Sequence, residues 1–133
     1  MTTTEPASIL VVEDSADFRE TTVRVLNEGG YQAVSARGAK QALARLRALG
    51  PRLALVLTDV NLDGQDGFAL AGEVWTLRPD VMILFMSGHD VEVVKATGVD
   101  PTRAAFIQKP FTPVEIARAI AALLARRDAR GGS

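Results

Sequence analysis

Leu53-Ala54-Leu55-Val56-Leu57-Thr58-Asp59 is an apolar run that ends on a carboxylate. Without polar alternation, such a run reads as a strand buried on both faces. The segment that follows it, Val60-Asn61-Leu62-Asp63-Gly64-Gln65-Asp66-Gly67, is turn chemistry. Asp59 therefore stands at the carboxyl end of a central strand. Two more runs end in the same way: Ile9-Leu10-Val11-Val12 meets Glu13-Asp14, and Met82-Ile83-Leu84-Phe85-Met86 meets Ser87-Gly88. A fourth, Ala104-Ala105-Phe106-Ile107, stops just before Lys109-Pro110. In an open parallel sheet these ends share one edge, which is where such folds bind ligands. Three acids, a hydroxyl and a lysine then fall into one pocket.

Outward from these strands the chain alternates strand and helix five times, the pattern of an α/β parallel sheet. Strands are expected near 8–13, 32–36, 53–58, 82–87 and 104–108, and helices near 15–28, 38–49, 66–77, 90–96 and 113–127. Gly29-Gly30, Gly50-Pro51 and Arg78-Pro79-Asp80 stop the first three helices. The helix near 90–96 is short, because Val91, Val93 and Val94 are poor helix formers and Gly98 closes it. Residues 1–7 read as a disordered leader, 8–127 as one domain and 128–133 as a frayed, disordered tail.

At 133 residues the chain has the size of one domain with a proper core. Its 15 basic and 16 acidic side chains leave a formal charge of −1, so there is no footprint for nucleic acid or an anionic membrane. Cysteine is absent, which excludes disulfides and thiol chemistry. The start, Met1-Thr2-Thr3-Thr4-Glu5-Pro6, lacks a signal peptide's basic and apolar regions, and no apolar run nears the roughly 20 residues of a membrane span. A cytoplasmic location is expected.

Singly, each strand-end residue has an ordinary explanation: an Asp there is commonly a helix cap or turn former, and a Lys is commonly surface. Together they meet the demands of phosphoryl transfer. A hard cation such as magnesium takes oxygen ligands, usually one or two carboxylates with waters and a phosphate oxygen. Asp14 and Asp59 supply the carboxylates, with Glu13 acting directly or through water. Asp59 then attacks the phosphoryl group as nucleophile and forms an acyl phosphate. Lys109 offsets the crowded acids as a mobile point charge, and the Ser87 hydroxyl donates to a phosphoryl oxygen. The loop must turn Lys109 back toward the acids, so the Lys109-Pro110 bond is expected to be cis.

Val11-Val12-Glu13-Asp14, Leu57-Thr58-Asp59-Val60, Asp66-Gly67, Met86-Ser87-Gly88 and Lys109-Pro110-Phe111 stand in the order and near the spacing of one family. In these five motifs the chain, from Ile9 to about Leu124, resembles the receiver domains of two-component response regulators. The resemblance implies a doubly wound, flavodoxin-like sheet of five parallel strands in the order 2-1-3-4-5. It further implies Asp59 as phosphoacceptor, Glu13 and Asp14 as the acidic metal pair, and Asn61 as a magnesium ligand through its carbonyl. Ser87 becomes the switch hydroxyl, Phe106 the switch aromatic and Lys109 the family's lysine. The implied phosphoryl donor is a histidine kinase or a histidine phosphotransfer protein. Output to a downstream protein, or to a second copy, is expected through the fourth and fifth helices and the last strand. On the fifth helix Ile116, Ile120, Leu123 and Leu124 mark the buried stripe, leaving Val114, Arg118, Ala121, Ala122 and Ala125 outward. Trp75 reads as packing on the third helix.

Two positions depart from the family pattern. Asp63 stands where many relatives carry proline, and reads either as another acid at the pocket mouth or as a solvated turn residue. His89, the only histidine, follows Ser87 by two residues as Asn61 follows Asp59. Both side chains would flank the path of a hydrolysing water, which makes them candidates for setting phosphoryl lifetime. The reading is a signalling domain that phosphorylates and dephosphorylates itself, not a turnover enzyme. A haloacid-dehalogenase-like phosphatase would need an acid where Asn61 stands, and a flavodoxin would need a phosphate loop where Glu13-Asp14 repels one. A receiver that has lost phosphorylation would be expected to lack some of these residue types. Met86-Ser87-Gly88 and the segment from Phe106 to Phe111 are worded like receivers of hybrid histidine kinases, whereas the Met1 start and short tails suit a free-standing domain.

Overall fold

A computed structural model describes residues 7–62, 64–88 and 99–131. Strands β1 (Ser8–Val12), β2 (Gln32–Ala36), β3 (Leu53–Asp59), β4 (Met82–Ser87) and β5 (Ala104–Gln108) form one sheet in the order β2-β1-β3-β4-β5. Every neighbouring pair is parallel. This is the flavodoxin-like order that the resemblance implied. Helices α1 (Ala16–Glu28), α2 (Ala39–Leu49), α3 (Gly67–Leu77) and a C-terminal helix (Pro113–Gly131) cover the sheet.

Both faces of the sheet are covered, and successive strand residues divide between them because the side-chain period of a strand is two. Leu10, Val12, Val56, Ile83 and Phe85 pack with Leu46 of α2 and with Leu70 and Val74 of α3. On the other face Ile9, Val11, Leu55, Leu57, Met82 and Leu84 pack with Leu26 of α1 and with Ile116, Ile120 and Leu123 of the C-terminal helix. A fully buried Leu, Ile or Val contributes roughly 1.5–3 kcal/mol. All seven residues of β3 are buried, as its unbroken apolar run requires.

The helices start and stop for local reasons. Ser15 caps α1, its Oγ accepting the Phe18 N–H at 3.4 Å. The chain leaves α1 through Gly30 at φ 97°, a conformation that favours glycine. Gly38 gives α2 no side-chain cap; the first N–H of the helix, at Ala39, instead donates to Gln65 Oε1 at 2.9 Å. Gln65 lies in a short antiparallel hairpin, Asn61–Leu62 against Gln65–Asp66, within the expected turn.

Several bounds differ from the sequence reading. The first strand stops at Val12, one residue early, and β3 takes in Asp59. Asp66 is the cap of α3, not its first residue. The C-terminal helix continues beyond 127 through Gly131, so residues 128–131 are helical where a frayed tail was expected. Ala and Arg are good helix formers, and Arg127 is tied to Asp80 at 2.9 Å. The expected buried stripe holds, with Leu124 partly buried, while Val114, Arg118, Ala121, Ala122 and Ala125 are exposed. Trp75 packs as expected, its Nε1 donating to the Val81 carbonyl at 2.8 Å beneath the Arg103 guanidinium. Asp63, His89 and the expected helix near 90–96 lie outside the described residues.

Candidate functional site

Strand register assembles the site. Val12 pairs with Thr58, Asp59 with Met86 and Ser87 with Gln108, so Glu13, Asp59, Ser87 and Lys109 all emerge at the carboxyl edge. The Lys109-Pro110 bond is cis, as expected. The Lys109 N–H donates to the Ser87 carbonyl at 2.7 Å, which joins the ends of β4 and β5.

Asp59 is 9% exposed. Its Oδ1 accepts the Asn61 N–H at 2.9 Å, and its Oδ2 accepts from Lys109 Nζ. The same ammonium donates to Glu13 Oε1 at 2.7 Å and stands 4.4 Å from the centroid of the Phe18 ring. Glu13 is buried, and its Oε2 accepts the Ser15 N–H at 2.9 Å. Asp14 is exposed, and its carboxylate shares a hydrogen bond with that of Glu13. Ser87 is fully buried at the end of β4.

Burial raises the Glu13 carboxyl above its ordinary value, and the bond to Asp14 raises it further against the pull of Lys109. Asp14 is lowered chiefly by that same bond. Burial by itself would lower Lys109, but hydrogen bonds to Asp59 and then Glu13 outweigh it and leave the ammonium above its usual range.

Among the described residues, no three Asp, Glu, His or Cys side chains converge as a ready metal cage. Magnesium does not need one, since it takes one or two carboxylates and keeps several waters. The Glu13–Asp14 pair is suited to it, because its carboxylates, that of Asp14 exposed to water, stand at the sheet edge that also carries Asp59.

The structure thus brings Glu13, Asp14, Asp59 and Lys109 together, with Ser87 and the Asn61 backbone at the same edge. Phe106 lies farther along the sheet, stacked on Phe85 at 5.2 Å and 6.3 Å from the Phe68 ring. Two features went unread in the sequence. Phe18 lies against the lysine, and Gly67 leaves room for Asp59: a Cβ there would collide with the Asp59 carbonyl oxygen. Asp66-Gly67 carried the second signal, in a small residue required at the foot of α3. No local pattern carried the first.

Residues 9–121 match the family model of the response regulator receiver domain, and the chain belongs to that family, the receivers of two-component systems. It is 34% identical over 111 residues to the transcriptional regulatory protein AruR of Pseudomonas aeruginosa, covering 81% of this chain and 45% of that one. The chain spans less than half the length of the curated relatives it matches. A response regulator receiver protein from Sinorhizobium medicae shares the fold, with a TM-score of 0.81 at 24% identity, over 94% of this chain and 99% of that one. The response regulator TrrA of Thermotoga maritima, solved in complex with Mg(2+)-BeF, has a TM-score of 0.74 at 25% identity over 88% and 98%. No described helix is long and apolar enough to cross a membrane.

Proposed function

We propose that the chain takes a phosphoryl group onto Asp59 from a phosphohistidine donor, a histidine kinase or a histidine phosphotransfer protein, and passes the signal on through a protein contact. The observation that carries this reading is the nearly buried Asp59 carboxylate, bonded to a lysine 50 residues away in sequence and backed by the Glu13–Asp14 pair. In transfer, an Asp59 oxygen forms the bond to phosphorus as the phosphorus–nitrogen bond of the donor breaks, and the leaving imidazole takes up a proton from water. Lys109 holds the carboxylate before the reaction and a phosphoryl oxygen after it. Asp14, Asp59 and the Asn61 carbonyl would hold magnesium, with Glu13 behind them, since both Glu13 oxygens already serve Lys109 and Ser15. When bound, the ion spreads the negative charge of the phosphoryl group.

The Ser87 hydroxyl donates to a phosphoryl oxygen, and Phe106, one strand over, turns into the space this leaves. The signal then reaches β5 and the outer face of the C-terminal helix, where a downstream protein or a second copy docks. Asn61, exposed at the rim, flanks the approach of water and sets how long the phosphoryl group lasts, and His89, two residues after Ser87 in sequence, is the second candidate for that role. The chain so read handles its own phosphoryl group and turns over no other substrate; its near-neutral charge suits neither nucleic acid nor an anionic membrane.

Incubation with magnesium and phosphoramidate is expected to add one phosphoryl group per chain by intact mass, and none to Asp59→Asn. Single phosphorylation retained in that variant would remove Asp59 from the role.

A further inference from the structure

Lys109 Nζ is bounded on three sides. Glu13 Oε1 lies at 2.7 Å, Asp59 Oδ2 accepts from it, and the Phe18 ring centroid lies at 4.4 Å. The ring is itself fixed. Phe111, two residues beyond the lysine, meets it edge-on at 5.5 Å and 84°. The Phe18 backbone is tied into the first turn of α1, its N–H donating to Ser15 Oγ and its carbonyl accepting from Thr22 Oγ1 at 2.8 Å. A ring face attracts an ammonium through its quadrupole, and it keeps doing so whatever the charge of the neighbouring acids. Asp59 does not offer that constancy, because formation of the acyl phosphate removes its carboxylate charge and puts a larger dianionic group in its place. A lysine on a flexible four-carbon stem then keeps two partners that the reaction leaves in place, Glu13 and the Phe18 ring.

We propose that Phe18 is a positioning residue for Lys109: its ring holds the ammonium at the mouth of the site while the amine moves from the Asp59 carboxylate to the phosphoryl oxygen. This rests on the reading of Asp59 as acceptor. Simple packing is the competing role, since Phe18 also lines an apolar crevice of about 110 Å³ with Thr22, Val25, Phe111 and Ile116.

Fluorination of the ring separates the two roles, because it drains the ring face while keeping its shape. With 4-fluoro-, 3,5-difluoro- and 3,4,5-trifluorophenylalanine at position 18 of the full chain, the initial rate of phosphoryl uptake from phosphoramidate is expected to fall in steps, by roughly two- to tenfold at the third. Phe18→Tyr keeps the ring face and should stay near the original rate. In the metal-free, unphosphorylated protein, the Lys109 ε-methylene protons should resonate upfield of those of other lysines and lose that shift in Phe18→Leu. Equal rates across the fluorinated series, or Lys109 signals that ignore Phe18→Leu, overturn the proposal. If the unsubstituted chain takes up no phosphoryl group, the acceptor reading fails by itself, and the Lys109 signals still decide whether Phe18 holds the amine.

Discussion

A Cβ on Gly67 would come within 3.0 Å of the Val60 Cα as well as striking the Asp59 carbonyl oxygen. Gly67 is buried, and its N–H donates to the Val60 carbonyl at 2.9 Å, so the first turn of α3 lies directly on the end of β3. Gly67→Ala is therefore expected to cost about 1–3 kcal/mol, as overpacking does, and to displace Asp59 as α3 backs away. Denaturant melts measure it; an unchanged midpoint would show that α3 can retreat freely. The acids and the lysine were legible in the sequence because their chemical types stand alone at the ends of apolar runs. What each one bonds to was not. Lys109 reaches Glu13 across 96 residues of chain, and only the sheet register brings them together. Phe18 looked like an ordinary apolar residue of α1, since nothing in its neighbours marks a ring that lies against a cation.

Among the elements, the C-terminal helix is pinned at the end of the sheet remote from the site. Arg78 donates to the carbonyls of Gly50 and Leu53 and to Asp80, and Arg127 of the C-terminal helix donates to Asp80 Oδ2 at 2.9 Å. The hydrogen bond from Arg78, with help from Arg127, holds the Asp80 carboxyl well below the ordinary carboxylate range. A lowered carboxyl contributes stability above its unfolded value, and that stability is lost as pH falls through the folded one. The Asp80 side chain is 48% exposed, so solvent screening limits the gain to about 0.5–1 kcal/mol. Asp80→Asn should lose this much at pH 7; the difference should persist down to about pH 4 and shrink in stronger acid. Thermal melts across that range check it, and a difference that grows in acid would reverse the assignment. The first three helices were legible from the glycine and proline signals that stop them, and the C-terminal helix from the spacing of Ile116, Ile120, Leu123 and Leu124. The end of the C-terminal helix was not, because the contact of Arg127 with Asp80 is tertiary.

Over the whole molecule, the fold follows from strands buried on both faces, which demand helices on both sides and leave the carboxyl edge as the open place for chemistry. That much was readable from apolar runs alone; the strand order came from the resemblance, since parallel crossovers leave little trace in a single sequence. Phe106 shows what this architecture offers a signal. It is partly buried, with its ring on Phe85 in the face shared with α3, while its neighbours Ala105 and Ile107 pack toward the C-terminal helix. Ser87 and Phe106 therefore lie on adjacent strands, and the residues on either side of Phe106 touch the core that the C-terminal helix closes. Charge placed at Asp59 is expected to be read out on β5 and the C-terminal helix. Beryllium fluoride with magnesium mimics the phosphoryl group, so backbone chemical shifts recorded with and without it report whether that charge is felt beyond the pocket. Changes at Asp59 and Ser87 that continue through Phe106 and along the C-terminal helix are the expected result. Changes confined to the pocket around Asp59 would contradict it and leave the chain as a phosphoryl relay or sink.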